Sequence, residues 1–159
     1  MSKKPTVGEP APPFTAPVVG GEYGDDATLS LADLAGETVV LYFYPRDNTP
    51  GCTIQACGLR DNWEAVSAKA KVFGVSTDSI ESHKAFIERK KLPFPLISDT
   101  EKVVVRAYGV WSDKSLLGRL GLGTERATFI IAPDQTIKAA FPKVGPVGHV
   151  AKILAAIEA

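Results

Sequence analysis

The chain has 159 residues, of which 45% are hydrophobic and 23% are charged, proportions ordinary for a soluble globular protein. Lys plus Arg and Asp plus Glu both total 18, so the formal net charge is zero, which argues against nucleic acid or an anionic membrane as a partner. No run approaches the ~20 apolar residues of a membrane helix, and no apolar run follows the N-terminal lysines, so no secretory signal is predicted. The length suits one domain, which we expect to span residues 1–159.

The N-terminal half of the chain predicts a hairpin, then a buried strand and a helix. The first ~13 residues are rich in Pro and Lys and indicate an extended lead-in. The run ETVVLYFYP is continuously apolar, β-branched and aromatic, which is typical of a strand buried on both faces. The predicted elements are strands over 14–19 and 27–31, a helical turn over 31–34, a strand over 37–45 and a helix over 53–69.

The C-terminal half predicts two more strand–helix units, a second hairpin and a final helix. The elements are a strand over 71–78, a helix over 79–91, a strand over 92–99, a helix over 100–110, a hairpin over 127–141 turning at Pro133 and Asp134, and a helix over 149–159. This alternation predicts an α/β fold with parallel crossovers, in which helices flank a central mixed sheet with an antiparallel edge.

Both cysteines of the chain, Cys52 and Cys57, lie just after the turn sequence RDNTPG. A helical pattern follows Cys52, so its sulfur is expected in the first turn of a helix, where free N–H groups and the helix dipole favour an anion such as a thiolate. The preceding strand ends at Pro45 and delivers this loop to the carboxyl edge of the sheet, where α/β active sites collect.

The spacing of the two cysteines restricts how they can bond. Five residues along an α-helix advance ~7.5 Å and turn ~140°, which separates the two Cα atoms by roughly 8.6 Å. A disulfide needs Cα atoms within about 7 Å. An intact helix therefore cannot hold a Cys52–Cys57 bond, so either the pair never bonds or the helix unwinds when it does.

Other uses of the cysteines are less well supported by the sequence. A zinc site needs three or four ligands, and the two histidines, His83 on an expected polar helix face and His149 on an expected exposed surface, have no ligand spacing to the cysteines. A Cys–His hydrolase would have to draw on one of these histidines, and two inert buried cysteines are a further alternative. So few cysteines favour a reducing, cytoplasmic compartment over a disulfide-stapled secreted protein; an organellar protein whose transit peptide has been removed stays an alternative.

The segment PRDNTPGC, from Pro45 to Cys52, matches the P-x-x-x-T/S-x-x-C signature of peroxiredoxins. With TIQACGLRD after it, the chain resembles the peroxiredoxin Q or bacterioferritin-comigratory-protein subgroup, and the resemblance continues through VVLYFYP, GVSTDS, FPLISD and RATFIIAPD. It implies a thioredoxin-like fold and reduction of hydrogen peroxide and organic hydroperoxides. Residues 54–55, Gln135 and the glycine-rich segment 111–123 depart from the family pattern.

The resemblance also implies the roles of individual residues. Cys52 is the peroxidatic nucleophile and Cys57 the resolving cysteine. Thr49 is expected to hydrogen-bond the thiolate and the peroxide, Pro45 to shield the sulfur from bulk water, and Arg126 to complete the pocket from a neighbouring strand. Arginine suits that task because it is always protonated and presents several donors in a fixed plane.

The implied cycle passes through a Cys52 sulfenic acid and an intramolecular Cys52–Cys57 disulfide, which thioredoxin or a similar dithiol reduces. No metal, flavin or nicotinamide is expected on the chain. A resolving cysteine on the same chain favours a monomer and leaves a dimer open. Three alternatives are kept: a thiol–disulfide oxidoreductase, which usually carries C-x-x-C; a non-catalytic redox sensor that binds a partner; and a surface ion pair with Glu125 or a nearby acid as the only role of Arg126.

Overall fold

The structure, a computed structural model, describes residues 4–24, 26–111, 123–145 and 148–158. Strands and helices alternate along these residues much as the sequence predicts. The strands are β1 Thr15–Val19, β2 Thr28–Ser30, β3 Val39–Phe43, β4 Lys71–Ser76, β5 Leu96–Ser98, β6 Ala127–Ile131 and β7 Ile137–Phe141. The helices are α1 Pro50–Asp61, α2 Trp63–Ser67, α3 Ile80–Lys90, α4 Val103–Ala107 and α5 His149–Glu158, with a 3-10 turn over Leu31–Leu34.

The strands form one mixed sheet in the order β2-β1-β5-β4-β3-β6-β7. β3 lies near its centre, parallel to β4 and antiparallel to β6. The N-terminal hairpin β1–β2 and the C-terminal hairpin β6–β7 form the two edges. The predicted mixed sheet with an N-terminal hairpin is therefore confirmed.

Every residue of β3 is buried, because both faces of the sheet are covered. Val39, Leu41 and Phe43 face a core that contains α4 and the N-terminal hairpin. Val40 and Tyr42 face a second core built with α1, α2 and α5. Successive side chains of a strand point to opposite faces, so an unbroken apolar run is what a strand between two helical layers needs.

The first helix differs from its prediction at both ends. It begins at Pro50 rather than Thr53, because Thr49 is an extended N-cap and proline is well tolerated as the first helical residue. The predicted continuous helix over 53–69 is interrupted at Asn62, whose backbone has φ −116° and ψ 20°. The Asn62 amide Nδ2 donates to the Gly58 carbonyl at 2.9 Å, which satisfies one of the acceptors left at the helix end.

The lead-in and the second hairpin are joined by backbone hydrogen bonds. Gly8 N–H donates to the Ile137 carbonyl at 2.9 Å, and Ile137 N–H donates to the Glu9 carbonyl at 2.8 Å. Gln135, an unusual residue at the hairpin turn, has φ +67° and its side chain donates to the Leu31 carbonyl at 2.6 Å. Most of the glycine-rich segment 111–123 lies outside the described residues. Among the helices described, none combines the length and apolarity needed to cross a bilayer.

Candidate active site

The Cys52 sulfur lies at the first turn of α1, as the sequence predicts. Thr49 is the N-cap, Pro50 is the first helical residue, and Cys52 is the third, with 1% of its surface exposed. The first hydrogen bond of the helix runs from the Thr53 N–H to the Thr49 carbonyl, at 2.9 Å. The N–H groups before it have no helical acceptor, so this end of α1 favours negative charge on the Cys52 sulfur.

Arg126 reaches the same sulfur from another part of the chain. The antiparallel pairing of β3 and β6 sets Phe43 opposite Ala127, so the residue before β6 emerges beside the loop that leaves β3. The Arg126 Nη2 atom donates to Cys52 Sγ at 3.4 Å. A permanently charged donor thus lies against a buried sulfur, a contact that favours a thiolate.

Among the described residues, Arg126 forms no ion pair with Glu125. The Glu125 carboxylate pairs instead with Lys4 Nζ, which also donates to the Pro142 carbonyl at 3.1 Å. The lead-in therefore takes up the acidic neighbour of Arg126, and the guanidinium is left to face Cys52.

Gln55 is the site residue that the sequence reasoning missed. Its Oε1 atom accepts a 2.7 Å hydrogen bond from Arg126 Nη1, and its side chain is 1% exposed. Residues three apart share one face of a helix, so Gln55 sits on the Cys52 face of α1 and could have been found from that spacing. It fixes one prong of the guanidinium while the other prong contacts the sulfur.

Thr49 and Pro45 flank this group. The Thr49 hydroxyl donates to the Arg46 carbonyl at 3.0 Å, a bond within the loop itself. Pro45 is half-buried and lines a cavity of about 490 Å³ next to Arg126. The other lining residues are Thr124, Glu125, Lys143, Val144 and Gly145.

Cys57 lies farther along α1. It is half-buried and, like Cys52, a free cysteine. Both residues belong to the uninterrupted helix Pro50–Asp61, so helical geometry separates their Cα atoms by roughly 8.6 Å, beyond disulfide reach. Bond formation between these two sulfurs requires α1 to unwind.

His83, which the sequence predicts on a polar helix face, is buried in the structure. His83 is 0% exposed; its Nδ1 atom lies 2.7 Å from Asp47 Oδ2 and its Nε2 atom 3.0 Å from the Ile97 carbonyl. A polar ring can be buried when both nitrogens are hydrogen-bonded. The loop residue Asp47 supplies the partner that the helix pattern alone does not reveal.

The expectation of an exposed His149 is wrong. His149 is 2% exposed, and its Nε2 atom lies 2.7 Å from Thr128 Oγ1. Burial, and to a lesser extent the positive charge of Arg126, lower the pKa of His149 to about 4, so the ring is neutral at neutral pH. Among the hydrogen bonds of the described residues, neither histidine contacts a cysteine, and the Cys–His pair of a hydrolase is not formed there.

One set of potential metal ligands occurs among the described residues. Ligand atoms of Asp47, Asp78 and His83 lie within 4.8 Å of one another. They already bond to protein groups, because Asp78 Oδ2 accepts from the Asp47 N–H at 2.9 Å and from the Ser76 hydroxyl at 2.6 Å. These hydrogen bonds account for the cluster as a closed network beneath the loop 44–49.

Comparison with known proteins finds relatives of this chain by sequence and by structure. The model of the AhpC/TSA family matches residues 7–140. The chain is 47% identical over 149 residues to a putative peroxiredoxin Bcp of Coxiella burnetii, covering 93% of this chain and 95% of that one. It is 42% identical over 135 residues to peroxiredoxin Bcp of Escherichia coli, covering 84% and 83%.

Among solved structures, the bacterioferritin comigratory protein of Xanthomonas campestris superposes with a TM-score of 0.81 at 34% identity, over 91% of this chain and 90% of that one. That protein was studied for its alkyl peroxide reduction activity. The likeness confirms the thioredoxin-like fold implied by the sequence. The chain therefore belongs to the AhpC/TSA family and, within it, to the peroxiredoxins of the Bcp or peroxiredoxin Q kind.

Proposed function

We propose that this protein is a thiol peroxidase that reduces hydrogen peroxide and organic hydroperoxides, with Cys52 as the nucleophile. The observation that carries the proposal is the 3.4 Å contact between Arg126 Nη2 and Cys52 Sγ at the first turn of α1. A helix N-terminus and a guanidinium together favour the thiolate, the form of cysteine that attacks a peroxide.

In the first step the Cys52 thiolate attacks the terminal oxygen of the hydroperoxide. The S–O bond forms as the O–O bond breaks, sulfur is oxidised to a sulfenic acid, and the peroxide is reduced to an alkoxide that takes a proton from solvent. Because negative charge develops on the departing oxygen, donors fixed beside the sulfur lower the barrier more than donors that must reorient.

Four residues then share the work around that sulfur. Arg126 donates to the developing charge, and Gln55 keeps its guanidinium in one plane through the 2.7 Å bond. Thr49, whose hydroxyl now bonds to the Arg46 carbonyl, would turn toward the bound peroxide by a change of rotamer. Pro45 covers the site and borders the cavity next to Arg126, whose size suits the organic group of an alkyl hydroperoxide.

In the second step the Cys57 sulfur attacks the Cys52 sulfenic acid. The S–S bond forms, the S–O bond breaks, and the hydroxyl group leaves as water with the proton of the Cys57 thiol. Since both residues lie in α1, at least the turn that contains Cys57 unwinds for this step. Amide exchange of residues 53–60 should therefore be faster in the disulfide form than in the dithiol form; a disulfide with unchanged exchange would contradict the mechanism.

The disulfide is then reduced by thiol–disulfide exchange with an external dithiol, most simply thioredoxin. Such a cycle fits a reducing, cytoplasmic compartment, and a resolving cysteine on the same chain lets a monomer complete it. The decisive experiment follows peroxide consumption in the presence of thioredoxin, its reductase and NADPH, with Cys52→Ser as the inactive control. Steady turnover supports the enzyme. A single equivalent of peroxide without turnover would support the redox-sensor alternative instead.

A further inference from the structure

The loop between β3 and α1 is held by one buried carboxylate. The Asp47 side chain is 2% exposed. Its Oδ1 atom accepts the Tyr44 hydroxyl at 2.6 Å, and its Oδ2 atom accepts the Ser82 hydroxyl at 2.8 Å and faces His83 Nδ1 at 2.7 Å. Two of these partners belong to α3, so a single side chain ties the loop to a helix that is distant in sequence.

The backbone of the loop is fixed by a second carboxylate, that of Asp78. The Asp47 N–H donates to Asp78 Oδ2 at 2.9 Å, and the Ser98 hydroxyl donates to the Asp78 carbonyl at 2.7 Å. The next residue, Asn48, has φ +61°, a left-handed conformation that asparagine tolerates. The loop therefore has one defined path from Asp47 to the N-cap of α1.

The contact between Asp47 and His83 requires a proton. The Ile97 carbonyl has none to give, so His83 Nε2 must donate to it. One proton must therefore lie between His83 Nδ1 and Asp47 Oδ2, which are 2.7 Å apart. Without it, both atoms would present lone pairs to each other. Burial raises the pKa of Tyr44 well above its ordinary value, and the charge of Asp47 adds to this, so the Tyr44 hydroxyl stays a donor to the carboxylate.

We propose that Asp47 and His83, hereafter the anchor pair, are positioning residues that hold the loop 44–49 in the conformation that presents Cys52 to peroxide. When the contact between Asp47 and His83 breaks, the loop is freed and α1 can unwind so that the disulfide forms. The inference rests on the proposed function. Asp47 lies five residues before Cys52 and two before the N-cap Thr49, so a shift of the loop displaces the helix end that carries the sulfur.

The anchor pair thereby sets a balance between two reactions that need opposite states of the loop. Attack on peroxide needs Cys52 beside Arg126, in the held conformation. Disulfide formation needs the helix end free. A weaker anchor shifts the population toward the unwound state, which slows the first reaction and speeds the second. A variant that is only less stable overall would lose rate in peroxide attack without forming the disulfide faster.

The direct test is amide exchange of the reduced protein. Asp47→Ala removes the partner of the Tyr44 hydroxyl, the Ser82 hydroxyl and His83 at once. We expect residues 44–57 to exchange about tenfold faster than in the wild type while α5 is unchanged. Asp99→Ala is the matched control. Asp99 is an equally buried carboxylate, 3% exposed, but it caps α4 through the Val103 and Val105 N–H groups and should leave residues 44–57 unchanged.

The functional test separates the two rates. In Asp47→Ala we expect the second-order rate with hydrogen peroxide to fall about tenfold, the first-order rate of disulfide formation to rise, and sulfinic acid at high peroxide to decrease in mass spectra. Asp47→Asn should recover most of the wild-type behaviour, because its amide can donate to the neutral His83 Nδ1. Ser82→Ala removes one donor to Asp47 and should change both rates in the same directions by about two- to threefold.

Parallel falls of both rates, or unchanged exchange over residues 44–57 in Asp47→Ala and Ser82→Ala, would overturn the anchor. A wild-type protein that forms no sulfenic acid with peroxide would contradict the proposed function instead, and amide exchange would still decide the anchor.

Discussion

The sheet has a carboxyl edge and an amino edge, at the two ends of the parallel strands β3 and β4, and these hold charge in opposite ways. At the carboxyl edge of β3 and β4, charged and polar groups are buried or half-buried and are hydrogen-bonded in fixed directions. Arg126 lies between Gln55 and Cys52, and Asp47 lies against His83. At the other edge, the charges surround an open cavity and remain in contact with water.

That second edge holds a cavity of about 540 Å³, similar in volume to the cavity of about 490 Å³ beside Arg126. Lys71 at its rim pairs with Glu22 at 3.2 Å and Glu37 at 3.9 Å, and these side chains are 39–65% exposed. Aromatic and proline residues such as Trp63 and Pro95 complete the lining. Because cavities of similar volume lie at both edges, cavity size does not distinguish them, whereas the hydrogen bonds that converge on Cys52 occur at one edge only.

The strongest test of this contrast is to remove the Cys52 sulfur, to which Arg126 donates. Cys52→Ser should abolish peroxidase activity, because a hydroxyl is not ionised at neutral pH. Cys57→Ser should still consume about one equivalent of peroxide per chain, since it loses only the resolving step. Single-turnover peroxide consumption measures both variants, and equal consumption would contradict the assignment.

Arg126→Lys keeps the charge at the carboxyl edge and removes its geometry. A lysine cannot donate to Gln55 and Cys52 at once in a fixed plane, so the second-order rate should fall about a hundredfold, as when a transition-state donor is removed. The measurement is peroxide kinetics under saturating reductant. A rate within about twofold of wild type would mean that charge alone suffices.

The buried His149 should make stability depend on pH. Its pKa in the folded protein is about 4, below the ordinary ~6.5 of the unfolded chain, so protonation favours unfolding. Stability is full above about pH 6.5 and falls by about 3 kcal/mol as the pH is lowered to 4. Denaturant unfolding of wild type and His149→Gln at about pH 6.5 and about pH 4 measures the contribution of His149 to this pH dependence. An equal pH dependence in both proteins would contradict it.

Gln55→Met keeps the volume of the side chain and removes the acceptor for Arg126. We expect the peroxide rate to fall about tenfold, since a hydrogen bond to a charged group is lost. Gln55→Glu, which keeps an acceptor, is the matched control and should retain more of the rate. A Gln55→Met enzyme as fast as wild type would show that Arg126 is positioned by other groups.

The smallest effect is expected at the opposite edge. Lys71→Ala breaks two exposed ion pairs, so the free energy of unfolding should change by less than about 1 kcal/mol. Peroxide turnover should be unaltered. A clear loss of turnover in this variant would assign a functional role to the cavity at the amino edge and remove the contrast between the edges.

The sequence predicts the parts of this site that depend on local pattern. The buried run of β3, the turn at Pro133 and the position of Cys52 at a helix start follow from side-chain type and spacing. The burial of His83 does not, because its partner Asp47 is 36 residues away and no periodicity links them. The role of Gln55 depends in the same way on a residue 71 positions distant, although its spacing from Cys52 was visible.

The interruption at Asn62 limits how far unwinding can spread. A helix melts cooperatively along its hydrogen-bond ladder, and Asn62 separates α1 from α2, whose Val66 is fully buried in the core beneath. Oxidation should therefore melt a segment that ends before Trp63 and leave Val66 of α2 packed in that core. The two redox forms would then differ in the short helix α1 and share the core on the other face of the sheet, which contains no residue of α1.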